Sequence, residues 1–330
     1  MNEARPGSVL GPTVARAMLA LAVIALAIAL LGSQHVLGQM AFVATYAIAG
    51  LGVILIVGQS GQISLGQGAL LAIGAYVQTY LCLRGWPALL ALPLALGAGG
   101  VGGWLASLPA RRLGGLYFGM STLAFALIVE EVLVRWESVT RGSAGLAVPA
   151  FGVGEWSATS PDRQALVSLV ALAASFWCCR RLLGSRLGRA WRAVRDDEVA
   201  AAACGIDSAL TKTRAFVVAG VLSGLAGALY AHWIGFVSPE QFGLQLSFEL
   251  LILAFVGGVR ALSGALWGAI VIVAIPQLLS LVRDLLPAGL ANAAGFDAIA
   301  LGVVIVVVIL FRPEGIAGRG KQTSQGTGNH

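Results

Sequence analysis

Few groups in this 330-residue chain can bind or transfer anything polar, and they sit in a strongly apolar background. Within or beside long apolar stretches, the ionisable side chains are Glu130, Glu131, Glu249, His232 and Asp297. Such groups are costly in hydrocarbon and are functional suspects by default. Glu130 and Glu131 fall near the end of an apolar stretch, where water solvates them, and Glu249 begins one at an interfacial position. No two are spaced as a proton relay. There is no HExxH and no GxSxG, and Cys82, Cys178, Cys179 and Cys204 lack metal spacing. The segment GIAGRGK, beginning at Gly315, fits seven positions of a phosphate-binding loop. Its eighth position is Gln322 instead of Ser or Thr, and neither a strand before it nor a helix after it is expected. The chain is therefore not read as an enzyme. No metal and no cofactor is expected on it, and any ATP-driven step belongs to a separate protein.

Two polar segments stand out instead. The first is GQSGQISLGQG, positions 58–68. Gly58, Gly61, Gly66 and Gly68 interrupt helical continuity, while Gln59, Ser60, Gln62, Ser64 and Gln67 supply uncharged hydrogen-bonding groups. Irregular backbone at membrane depth survives only where it is packed in protein or lines a cavity. It also exposes N–H and C=O groups that can hold a polar solute. Tight packing and the lining of a solute route both remain open for this stretch.

The second segment, 184–214, is the longest run without a membrane-length apolar stretch. Its Ala, Arg, Glu and Val content predicts a polar helix closed by Gly205. Arg189, Arg192 and Arg195 recur every three residues and spread over one broad face, with Trp191 and Val194 beside them. An exposed Trp among arginines suits docking into a partner's cleft, because Trp and Arg are common interface anchors.

These segments sit in a chain that is 58% hydrophobic and 11% charged, with mean hydropathy +0.87. A soluble domain carries about 25% charged residues. The chain is read as all-α and polytopic, a single domain over 1–330 with about ten membrane-spanning helices. Spans are expected at 17–31, 36–57, 69–83, 87–108, 115–136, 165–183, 213–235, 247–258, 263–282 and 296–311, and a disordered tail from about 313. No Ala-x-Ala cleavage site follows the first apolar stretch, which is read as a retained span.

With both termini inside, sixteen basic residues face the cytoplasm. Five (Arg84, Arg135, Arg141, Arg163 and Arg283) face out, completing the 21 Lys and Arg of the chain. The positive-inside rule favours that orientation, which makes 184–212 cytoplasmic and 137–164 external. Small residues four apart, at Gly99/Gly103, Gly220/Gly224 and Gly264/Gly268, predict close helix contacts. GQISLGQGALLAIG and GVRALSGALWGAIV faintly echo one another, as in transporters built from repeats or by shared composition alone.

The segments GQSGQISLGQGALLAIGAYV, LGGLYFGMSTLAFALIVEEVLVRW, SVTRGSAGL, LGRAWRAVRDDEVAAAACGID and SFELLILAFVGGVRALSGALWGA resemble the permease subunits of branched-chain amino-acid ABC importers, the LivM type. The likeness runs from the second span to Pro313. It implies an inner-membrane permease subunit of a bacterial importer. The implied partners are a homologous second permease, two cytoplasmic ATPase subunits, a periplasmic solute-binding protein and a small-molecule solute, with no nucleic acid. It also implies that Arg192, Arg195, Asp196, Glu198, Ala200, Ala201 and Gly205 lie in the segment that docks into the ATPase. The chain departs from the family pattern at Ala144, where an acidic or amide residue often stands. It departs again at Glu130 and Glu131, since the family often has a single acid at the position of Leu127. These departures bear on the solute, which in this family and its close relatives is a branched-chain amino acid, urea or a short amide, or an aromatic acid. The rival class is an ion-coupled secondary transporter, which would need paired ionisable groups at mid-membrane.

Overall fold

The computed structural model describes residues 34–283 except 112, 114, 154 and 155, together with 302 and 315–317. The expected spans at 17–31 and 296–311, Asp297 and nearly all of the tail lie outside the described residues.

Among the described residues eleven α-helices follow in order. Helix α1 (Gln34–Val53) continues through a π-helical turn (Ile54–Gln59). Then come α2 (Gln67–Leu83), α3 (Ala88–Ser107) and α4 (Gly115–Arg135). The short α5 (Glu137–Thr140) opens the expected external loop, which also holds the two-residue strands β1 (Leu146–Ala147), β2 (Gly152–Val153) and β3 (Trp156–Ser157). Helix α6 (Pro161–Gly184) leads to α7 (Arg186–Asp196), α8 (Glu198–Ala203) and the long α9 (Ser208–Ile234). Strand β4 (Phe236–Val237), α10 (Leu244–Gly257) and α11 (Ser263–Arg283) complete the order. β1 pairs antiparallel with β4, Leu146 opposite Val237, so the loop is tied to the end of α9.

Six helical segments are long and apolar enough to cross a membrane, and two shorter ones, at Gln67–Leu83 and Ser263–Gln277, are also apolar. The protein is an all-α polytopic membrane protein. These eight fall where the expected spans between 36 and 282 lie.

Helices α1 and α9 form the centre. Their apolar windows are each 72% buried, against 28% for α4 and 17% for α6, which places α4 and α6 on the periphery. A helix that is apolar on all sides belongs in such a centre or against lipid.

The seam between α3 and α9 is made of glycine. A methyl group placed at Gly99 would overlap the carbonyl oxygen of Gly220, and one at Gly220 would overlap that of Gly99. Gly103 lies as closely on the Phe216 carbonyl, while Gly74 of α2 abuts Gly224. In the same way Gly264 and Gly268 of α11 press on Gly258 and on Leu253 of α10. The three small-residue pairs expected from spacing are thus all contact points. Lipid gives helices no hydrophobic reason to associate, so close backbone approach and dispersion must supply it.

Gly220→Leu forces α3 and α9 apart, and overpacking of this kind costs about 1–3 kcal/mol or more. Gly97→Ala is the control, because nothing lies within 4 Å of a methyl there. Thermal unfolding in detergent should show a marked loss for the first and none for the second.

Candidate functional site

The polar segment is two helices, not the single one expected. Asp197 is extended (φ −157°, ψ 113°) and breaks the run. Its Oδ1 accepts the N–H groups of Val199 and Ala200 at 2.8 and 2.9 Å, capping α8. Helix propensity favoured continuity, but an Asp directly before Glu-Val-Ala is also a start signal. Gly205 does close the segment, as the left-handed residue after α8 (φ 81°). The Gly205 N–H donates to Ala202 O and that of Ile206 to Ala201 O, at 2.9 and 3.1 Å, which satisfies the terminal carbonyls. Asp207 then caps α9 by accepting from Leu210 N–H.

Trp191 is the second correction. It is fully buried, and its Nε1 donates to Thr211 O at 3.0 Å. The three-residue period of the arginines is matched by a buried period of Gly188, Trp191 and Val194. That inner face seats α7 on α9 and on the end of α6. The Trp had looked exposed because the charged residues around it were assumed to surround it in space. Arg195, one turn on from Trp191, shares its face and is itself turned towards the chain.

The arginines are also engaged inside the chain. Arg189 and Arg192 donate to Gly184 O and Leu183 O, the last carbonyls of α6, at 3.3 and 3.2 Å. Cations there complement the helix dipole. Arg195 donates from Nη1 to Gly58 O at 2.8 Å and from Nε and Nη2 to Asp196 Oδ1. Glu198 pairs with Lys212 of α9 at 2.8 Å, and Lys212 has only 9% of its side chain exposed. Apart from Glu198, whose side chain is 52% exposed, what α8 leaves bare is small and apolar. Val199 is 80% exposed, and Ala200, Ala202 and Ala203 are exposed beside it, while Ala201 is buried. Composition gave no sign of this surface, because Val199 reads as an ordinary core residue.

The break between α1 and α2 lies directly against α7. Gly61 takes φ 73°, and a methyl on it would stand 2.7 Å from Arg195 Cγ. Gly58 presses on the carbonyl of Val259, and Gln59 Nε2 donates to Arg260 O at 3.1 Å. The two echoing segments both begin with a positive-φ glycine, Gly61 and Gly258, and the residues just before the first of them, Gly58 and Gln59, contact the second. Ser60 donates to Ile56 O, Ser64 Oγ accepts from Gly66 N–H, and Gln67 Oε1 accepts from Ser223. Gly68 N–H donates to Ser247 Oγ at 2.9 Å. The side chains of Gln59, Ser60, Ser64 and Gln67 are buried and bonded within the protein, which favours packing for them. Gln62 differs, because both polar atoms of its buried amide lack a protein partner.

The scattered ionisable groups have separate surroundings. Glu131 pairs with Arg135 one turn on, at the exposed end of α4. Glu130 sits beside Gly243, where α10 begins without a side-chain cap, so its charge lies at a helix N-terminus. Glu249 accepts from Gln245 at 3.1 Å. His232 joins the loop between α4 and α6 to the bundle. Its Nδ1–H donates to Pro149 O at 2.8 Å, and its Nε2 accepts from Gln78, whose amide also donates to Ala88 O. Among the described residues no three His, Cys, Asp or Glu groups are placed to hold a metal.

The model of the family described as branched-chain amino acid transport system, permease component, matches residues 35–310. The chain belongs to this family. It is a transport subunit and not a catalytic enzyme. It is 32% identical to the high-affinity branched-chain amino acid transport system permease protein LivM of Salmonella typhimurium, covering 91% of this chain and 74% of that one. It is 31% identical to LivM of Escherichia coli over 93% and 76% of the two chains. The identity to LivH of Escherichia coli is 24% over 87% and 95%. No solved structure matches the chain.

Trp191→Ala should remove about 3–5 kcal/mol and appear as lost folded permease, not as a selective loss of partner. Asp197→Ala should cost about 1 kcal/mol through the lost cap. Thermal unfolding of the purified permease separates the two.

Proposed function

We propose that this chain carries branched-chain amino acids across a bacterial inner membrane, as one of two homologous permeases driven by two cytoplasmic ATPase subunits. A periplasmic solute-binding protein delivers the solute on the opposite face. The observation that carries this reading is the α7–α8 pair. It is a short, rigidly seated polar element between two membrane helices, and its outermost surface, around Val199, is bare. A loop that only joined α6 to α9 would gain nothing from two capped helices tied to α9 by Trp191 and by the Glu198–Lys212 pair. A platform for a motor protein would. The solute assignment follows the names of the relatives.

Ten spans are proposed, the eight apolar helices described and two more at 17–31 and 296–311, with both termini and α7–α8 in the cytoplasm. The distribution of basic residues supports this orientation. Arg195 and Arg260 both approach the Gly58–Gln59 turn, and Lys212 and the arginines of α7 lie at the same end of the bundle. Arg84 and Arg141 lie at the other end, near the β1–β4 pairing and the turn after α2.

Three measurements test the proposal. Native Cys204 is exposed, so in a background lacking the other cysteines it should react with an impermeant maleimide only from the cytoplasmic side, and Ser138→Cys only from outside. Labelling of Cys204 from outside would overturn the orientation. Val199→Arg should weaken ATPase capture about tenfold or more, as truncating or charging an interface anchor does, with permease yield unchanged. Unimpaired capture would remove α8 from the contact. Proteoliposomes holding the full complex should accumulate leucine, isoleucine or valine. Uptake of urea or an aromatic acid instead would replace the solute assignment.

A further inference from the structure

Arg195 joins two parts of the chain that are 137 residues apart in sequence. Its Nη1 donates to Gly58 O at 2.8 Å, and its aliphatic stem lies over Gly61, whose φ of 73° leaves no side chain in the way. Asp196 holds the fork of the guanidinium from the other side through Oδ1. The carbonyl it takes is the one a break in the helix sets free. Gly58 lies in the π-helical turn that ends α1, and residues 61–66 are not helical. On the far side of the same turn Gly58 presses on Val259, and Gln59 bonds Arg260 O. The break is thus clamped between α7 and the α10–α11 turn. Within it the Gln62 amide is buried with neither polar atom bonded to protein.

We infer that Arg195 is a positioning residue that transmits movement of the α7–α8 platform to the α1–α2 break, and is not itself a contact to the ATPase. This rests on the reading of α7–α8 as the ATPase-engaging element. A push on α8 reaches α7 directly, and α7 reaches the break through a charge-assisted hydrogen bond and a packed stem. These bonds tie the break to α7 but leave it free of covalent continuity with it. The break in turn carries Leu65 and Gly68, whose N–H groups bond Thr122 of α4 and Ser247 of α10. A shift there therefore moves α2 against the two helices on which Glu130 and Glu249 stand.

The test uses the full complex with Arg195→Met and Arg195→Lys. Met keeps the stem over Gly61 and loses the donors, and Lys keeps the stem, the charge and one donor direction. A second readout is maleimide labelling of Ile63→Cys, an exposed position within the break, in a background without the native cysteines and with or without ATP. Expected are ATPase capture at the wild-type level for Arg195→Met, uptake and solute-stimulated hydrolysis at least tenfold down, and substantial recovery in Arg195→Lys. The labelling rate at position 63 should change with ATP when Arg195 is present and not in Arg195→Met. Normal stimulation in Arg195→Met, or loss of ATPase capture by it, overturns the inference. So does an ATP-independent labelling rate at position 63 with Arg195 present, a result that needs no Arg195 variant to fold. Failure of the unaltered permease to capture any ATPase would instead refute the functional reading.

Discussion

Backbone contact between α3 and α9 is the constraint on which the rest of the molecule depends. Gly99 and Gly103 meet Gly220 and the Phe216 carbonyl with no room for a methyl group, and Gly74 of α2 abuts Gly224 on another side of the same helix. In a solvent as apolar as the side chains themselves, such contacts replace the hydrophobic effect as the source of cohesion. They make α9 the axis of the bundle. Both ends of α9 then become fixed points. One end receives Trp191 at Thr211 and Glu198 at Lys212, and the other holds Pro149 of the α4–α6 loop through His232. Whatever happens at either face of the membrane is referred to one rigid helix.

The break between α1 and α2 shows how freed polar groups are handled. Apart from the Gln62 amide, it is matched largely by donors and acceptors from other elements. Gly58 O meets Arg195, Gln59 meets Arg260 O, and the N–H groups of Leu65 and Gly68 meet the hydroxyls of Thr122 and Ser247. Unpaired backbone in a membrane is costly enough that breaks exist only where such partners exist. The same rule accounts for the arginines of α7. Two of them close the carbonyls at the end of α6, and one closes the carbonyl at the end of α1. Their density in sequence comes from the number of helix ends that converge there.

That convergence also explains what the sequence showed and what it concealed. Hydropathy placed the eight apolar helices, and glycine spacing marked three seams correctly, because both are local properties. The family likeness, carried by contiguous motifs, led to the family the chain belongs to. Residue partners were not legible. Trp191 had been set on an outward face, yet its partner Thr211, like the Lys212 that pairs with Glu198, comes from the next helix, beyond a turn whose direction no local pattern states. Asp197 is an instructive miss. Its role as a cap was written in the residues that follow it, but a pair of acids in a charged run read as charge. His232 was suspected because it is ionisable. Its partners, Pro149 and Gln78, are distant in sequence and make it structural.

An element that spends three of its arginines on helix-end carbonyls must present something else outward. With the three arginines bonded to carbonyls and Glu198 bonded to Lys212, the outermost part of α8 is Val199 with small alanines around it. A surface of this kind selects a partner by shape. It fits a cleft that admits small side chains and rejects a polar one through desolvation. It also transmits force well, because a helix capped at both ends, by Asp197 and by the turn at Gly205, moves as a unit. On the proposed reading, charged contacts at this surface would place long flexible side chains between the ATPase and the permease. Here the long side chains lie behind α8, where they join it to α9 and α7 to the break.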